Sequence, residues 1–265
     1  MKAIYFLAGL LIVIHTQAQQ QTGRVVYEFT RQMQIRMGGM REGMEQAPPP
    51  PPRAHVIKLE VLFGNNQMLR RALEDNTVDD FPSNEGGVQI RTFGMGDDDI
   101  TWFNFTEGRK VEQKEFATKQ YLVTDSVRKL NWKLTGDTKN ILGFSCQQAV
   151  ATRLSKRSMI NMDNGVMTKK DIPDTSQVIA WFTPAIPVPA GPDFEGQLPG
   201  LILQIDINGN TTYKALEISQ KADVAAIKEP KKGKKVTADE FNKERDKTME
   251  EMQQNGGRRA MHIGN

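Results

Sequence analysis

A mainly β fold, built on one strongly bent antiparallel sheet or half-open barrel with a C-terminal helical tail, is what this sequence predicts. Three observations carry that expectation. Short runs of alternating apolar and polar residues recur along most of the chain, separated by turn residues. Two of those turns, Gly64-Asn65-Asn66 and Asn208-Gly209-Asn210, hold residues that tolerate the positive φ of a tight hairpin. A convincing helical period appears only near the C-terminus, so a βαβ alternation has nothing to build on.

The first eighteen residues stand apart. Lys2 supplies a positive start, Ala3 to Ile14 an apolar run too short to span a bilayer, and Thr16-Gln17-Ala18 a small-residue cleavage site. The expectation is a secretory leader cut after Ala18, leaving a periplasmic or extracellular chain that starts at Gln19, with no transmembrane segment. With 35 basic and 32 acidic residues the charge is nearly balanced, which argues against nucleic acid as a partner. The single cysteine, Cys146, lies among Phe144, Val150 and Leu154 and reads as a buried small hydrophobe on a strand.

Strands are expected in order at Arg24–Arg36, His55–Phe63, Gln67–Leu73, Val88–Phe93, Ile100–Thr106, Lys110–Phe116, Gln120–Thr124 and Leu130–Leu134. The second half adds Ser145–Leu154, Gln177–Thr183, Leu201–Ile207 and Thr211–Ser219. A sheet this long must curl or bury its second face. Two insertions interrupt it. Residues 38–54 are rich in Gly and Met and end in the proline run 48–52, a stiff exposed spacer. Residues 155–176 read as a polar, turn-rich loop. The β domain thus runs from 19 to 220, and 221–265 form a tail. In it, Lys228–Lys235 is a basic linker and Val236–Gln254 a charged, solvated helix. Thr237 and Glu240 make its capping box, and Gly256-Gly257 its stop.

The most specific stretch is Trp181-Phe182-Thr183-Pro184-Ala185-Ile186-Pro187, continued by Gly191-Pro192-Asp193-Phe194 and Leu198-Pro199-Gly200-Leu201-Ile202-Leu203. With Trp132-Lys133-Leu134 and Ile141-Leu142-Gly143-Phe144 followed by Cys146 and Ala149, it resembles the GLPGLI family, secreted proteins of Bacteroidota-type bacteria. The resemblance extends over roughly Val25 to Ser219. Gln197 stands where the first glycine of that motif is expected, with Gly196 one place earlier. The resemblance implies a secreted envelope protein and no established activity.

Prolines and glycines at this density predict a rigid Ω-like loop between two strands. Two readings fit it. One is an architectural corner that closes the sheet. The other is the rim of an apolar cleft lined by Trp181, Phe182, Phe194, Leu198, Pro199, Gly200 and Leu201, taking an apolar small molecule.

Catalytic and cofactor motifs are absent from the sequence: no Gly-x-Ser-x-Gly, His-Glu-x-x-His, Cys-x-x-Cys or phosphate-binding loop occurs. The chain is therefore read as non-enzymatic and without a cofactor. It binds either an apolar ligand or an outer-membrane protein, or works as a protein–protein adaptor. Soft-metal chemistry is the other alternative. Met37, Met40 and Met44 recur at close spacing, echoed by Met159, Met162 and Met167, and thioethers suit Cu(I). Asp97-Asp98-Asp99 is the densest acidic cluster but lacks the ligand spacing of a calcium loop.

Overall fold

The computed structural model describes residues 21–33, 53–73, 99–163 and 166–261. The leader, the proline run, the expected strand Val88–Phe93, Asp97, Asp98 and the copper candidates Met37, Met40 and Met44 lie outside them, as do the side chains of Met159, Met162 and Met167.

Twelve strands form one sheet: β1 (Gly23–Met33), β2 (Arg53–Gly64), β3 (Gln67–Ala72), β4 (Ile100–Asn104), β5 (Arg109–Phe116), β6 (Lys119–Ser126), β7 (Lys133–Ile141), β8 (Phe144–Asp163), β9 (Val166–Thr183), β10 (Leu201–Ile207), β11 (Thr211–Ser219) and β12 (Lys234–Thr237). Helix α1 (Ala238–Met261) follows. The strand order is β12-β6-β5-β4-β3-β2-β1-β11-β10-β9-β8-β7. Every pairing is antiparallel except β12 on β6.

Two meanders, β1–β6 and β7–β11, therefore meet along β1 and β11. The hairpin turns explain much of their regularity. Asn65 and Asn66 (φ 51° and 58°), Asn208 and Gly209 (53° and 67°), and Leu142 and Gly143 (52° and 86°) all sit in the left-handed region that matches strand twist.

The link between the meanders forces the sheet to curl. From β6 to β7 there are ten strand-to-strand steps, ~48 Å if the sheet were flat. Only residues 127–132 connect Ser126 to Lys133, a span of at most ~25 Å fully extended. The two halves must bend toward one another, and the sheet is open: among the described residues β7 has no hydrogen-bonded strand on its far side.

Inside the curl lies the main core. It draws Tyr27, Leu59 and Met68 from the first meander and Ala180, Phe182, Leu203 and Ile205 from the second. Tyr27 is fully buried and its hydroxyl donates to the Ile202 carbonyl at 2.6 Å, stitching β1 to β10. Cys146 is fully buried, as its sequence setting implies.

Three expectations need correction. Residues 155–176 are not a loop: β8 and β9 stay paired from Ser155↔Asp174 to Asp163↔Val166, because alternating residues such as Ile160 and Met162 continue the strand period through polar sequence. The strand expected at Leu130–Leu134 begins only at Lys133 and runs to Ile141, since Leu130 and Trp132 belong to the link and pack on the core.

The C-terminal segment is not a linker with a solvated helix. Val224, Ala226 and Ile227 cover Leu62, Leu69, Trp102, Val111 and Leu122 on the outer face. β12 then adds to the sheet beside β6, and Phe241 packs with Phe116, Tyr121 and Val236. The capping box forms as expected: Glu240 N donates to Thr237 Oγ1 at 3.2 Å and Thr237 N to Glu240 Oε2 at 2.8 Å. The helix nevertheless passes through Gly256-Gly257 to Met261.

Candidate functional site

The motif loop, residues 184–200 between β9 and β10, is folded into the curl. Its backbone bonds to itself and to β10: Leu201 N to Ile186 O at 3.0 Å, Ile202 N to Ala190 O at 2.9 Å, and Gly196 N to Pro189 O at 2.8 Å. Gly200 has a steric reason to be glycine, because a Cβ there would stand 2.2 Å from the Thr183 carbonyl oxygen.

The residues expected to line a cleft are divided between the core and the surface. Phe182, Phe194, Leu198 and Leu201 are buried in the main core, and Gly200 is buried against backbone. Pro199 is exposed. Trp181, next to Phe182 on β9, packs against the edge of that core. There it is half-buried, with Lys139 Nζ 4.1 Å from its ring and Lys139 also donating to Gln204 Oε1 at 2.7 Å. The loop expected to rim a cleft instead sends Ile186, Ala190, Phe194 and Leu198 into the core.

What holds the loop in place is a set of charges that sequence reasoning did not single out. Arg70 on β3 is 7% exposed, with Nη1 donating to the Pro192 carbonyl and Nη2 to Thr101 Oγ1 at 2.9 Å. Glu195, 2% exposed, faces Arg70 Nη1 at 3.6 Å and Lys110 Nζ at 3.8 Å. Its Oε1 accepts no hydrogen bond among the described residues. Glu112 completes the chain, 3.2 Å from Lys110 and 3.0 Å from Lys114.

Burial opposes the charges of Arg70, Lys110 and Glu112, and their neighbours of opposite sign overcome it. Arg70 and Lys110 are raised above their ordinary values chiefly by Glu195. Glu112 is brought down to about 2 by Lys110, Lys114 and Arg70. A signal was available in the sequence. Lys110, Glu112 and Lys114 alternate with Val111, so a strand in a curled sheet must turn either the charges or the valine inward. Beside this network a cleft of about 250 Å³ separates it from α1, lined by Arg70, Thr101, Glu112, Lys114, Phe116 and Phe241.

Gln197 fastens the loop's other side. Leu130 N and Trp132 Nε1 donate to its Oε1 at 2.9 and 3.1 Å, and its Nε2 donates to the Arg128 carbonyl at 3.3 Å. The Trp132 ring meets Phe194 edge-on at 5.5 Å. The residue that departs from the motif is thus the one that grips the link between the two meanders. In chemical terms the loop is a plug, clamped by ions to β3–β5 and by an amide to residues 128–132.

Among the described residues no three His, Cys, Asp or Glu side chains form a group suited to a metal ion. Among them, too, no helix is long and apolar enough to cross a membrane.

A family model described as a protein of unknown function (Porph_ging) matches residues 132–204. That stretch opens at Trp132, runs through β7, β8, β9 and the plug, and ends in β10. No curated protein matches the sequence. A solved structure of PNGF-II in space group C2 is similar at 16% identity and a TM-score of 0.50, over 84% of this chain and 32% of that one. The same protein in space group P21 gives 16% identity and a TM-score of 0.48, over 84% and 33%. The chain spans about a third of the length of the solved chains it resembles. At such identity the likeness concerns the fold.

Proposed function

We propose that this chain is a secreted, non-enzymatic cell-envelope protein of the GLPGLI type, exported by residues 1–18, that works by docking an outer-membrane protein partner. The observation that carries the reading is the far end of the β8–β9 hairpin. β7 leaves β8 after Val150, and β10 leaves β9 at Val178. Beyond these points the ribbon from Ser155 to Asp163 and Val166 to Thr175 has no third strand on either side among the described residues. Two-stranded ribbons are marginal on their own in water, and open strand edges are templates for another chain. Leu154 at its root is 76% exposed, the most exposed large apolar side chain among the described residues. The apolar-ligand reading draws no support from the motif loop, whose apolar residues are spent on the core.

The test joins Leu154 to Thr175 through Asn-Gly, deleting the ribbon. The shortened protein is expected to keep its melting temperature within a few degrees, because every described residue of the main core lies outside the deleted segment. It is expected to lose the envelope cross-link formed by the intact protein. A cross-link to the same partner at unchanged yield would overturn docking through the ribbon.

A further inference from the structure

The two edges of the β8–β9 ribbon are not equivalent, and the backbone shows why. Gln177 of β9 turns both of its main-chain groups outward: its N–H donates to Asn208 Oδ1 at 2.7 Å and its carbonyl accepts from Asn208 N at 3.1 Å. In an antiparallel ladder, residues opposite each other either exchange hydrogen bonds or both face away, and the sense alternates along the strands. Gln177 faces away from β8, so its partner Thr152 faces away from β9. Every second residue then does the same, through Leu154 and Ser158 to Met162 on β8 and through Thr175 and Pro173 to Met167 on β9.

The β9 edge is closed at its root by Asn208 and lacks a donor at Pro173, whose nitrogen faces outward. An outward proline is a usual means of keeping another strand off an edge. The β8 edge holds no proline from Ala151 to Asp163, and among the described residues no strand pairs with it once β7 leaves at Val150. A strand added there continues the row that β7 occupies. Protection against aggregation accounts for Pro173 but not for the open edge one strand away. Charge adds a preference. Between Ala151 and Asp163 stand Arg153, Lys156 and Arg157 against the single acid Asp163. Arg153, opposite Ser176, is half-buried, and its Nε donates to no acceptor among the described residues. Its backbone groups face β9, so a residue across from it on an added strand stands in the non-hydrogen-bonded relation, where side chains are closest. An opposite charge is favoured at such a place.

We propose that the docking partner presents an extended acidic segment, which adds to the outer edge of β8 as a further strand with a carboxylate across from Arg153. Main-chain hydrogen bonds supply the affinity, and the carboxylate selects the partner. This rests on docking through the ribbon and assigns it to one of the ribbon's two edges.

The probe is a labelled peptide of alternating valine and glutamate, about six residues long like an ordinary strand, followed by fluorescence anisotropy against the full chain. Saturable binding is expected, with the matching valine–lysine peptide on the order of tenfold weaker. Ser158→Pro removes an outward donor from β8 and Thr175→Pro one from β9, and neither interrupts the ladder between the two strands. The first should weaken the glutamate peptide about tenfold, and the second should leave it unchanged. Arg153→Gln, which alters no backbone group, should weaken it several-fold. No saturable binding by the parent, equal affinity for the two peptides, or unchanged affinity in Arg153→Gln would each overturn the proposal. So would a Ser158→Pro protein that melts like the parent and binds as tightly. If that variant keeps the peptide while the ribbon-deleted protein loses its envelope cross-link, the choice of edge falls and docking through the ribbon stands.

Discussion

Gln197 shows how one side chain carries the connection between the two halves. Restoring the motif glycine, Gln197→Gly, removes an acceptor from Leu130 N and Trp132 Nε1 and a donor from the Arg128 carbonyl. Losses of this kind at half-buried groups cost about 1–3 kcal/mol, so the midpoint of urea unfolding should fall, with its slope preserved. An unchanged midpoint would show that water replaces the amide. Glu112 makes a prediction in pH. Its folded value is held down to about 2, below the ordinary carboxylate range, so its contribution is complete above the unfolded value and is lost as pH falls from about 4.5 toward 2. Glu112→Gln should flatten that limb of the stability profile, which the parent loses by on the order of 2–3 kcal/mol. A parent and variant with parallel acid limbs would place the acid-sensitive group elsewhere. The charges were half legible: the alternation from Lys110 to Lys114 puts them on one face of a strand, but a charge in a strand reads as solvent-facing until the curl is known. Gly200 was legible: a Pro-Gly-Leu step before an apolar strand already calls for a residue without a Cβ.

At the scale of elements, the C-terminal strap departs furthest from its sequence. Residues 228–235 read as a basic linker because five of the eight are lysines. The apolar residues on either side are nevertheless the ones that matter: Ile227 and Val236 are both 7% exposed. Arg109 clamps the strap by donating Nη1 and Nη2 to Glu229 at 2.8 and 2.7 Å, while its guanidinium lies 4.8 Å from the Trp102 ring. A chain ending at Ser219 would uncover Leu62, Leu69, Trp102, Leu122, Tyr121 and Val123. It should aggregate or bind a hydrophobic dye strongly, and a cooperative melt within a few degrees of the parent would contradict the strap's structural role. Hairpins whose turns carry Asn or Gly were readable in advance, whereas the Ala117-Thr118 turn, at φ 50° and 66°, carries no such mark.

For the whole molecule, the alternation of apolar residues sufficed to foresee a long bent sheet. What it lacked was the strand order, since a meander read locally runs β1 to β11 in sequence, whereas here the chain jumps from one edge to the other at residues 127–132. Because the main core takes side chains from both meanders, neither half retains a closed core alone. Calorimetry should therefore show a single transition with equal van't Hoff and calorimetric enthalpies. Two resolved transitions would mean that the meanders are separate folding units.

The pairing of β1 with β11 also has a consequence in time. Arg24 finds its partner in Ser219, so the first strand made waits for nearly the last. A ribosome delivers residues at roughly 5–20 per second, which leaves the β1 edge bare for about ten seconds or more after it emerges. Long-range pairing of this kind is slow and exposed to aggregation. A nascent chain arrested before Thr211 should accordingly bind a holding chaperone, and extension through Ser219 should release it.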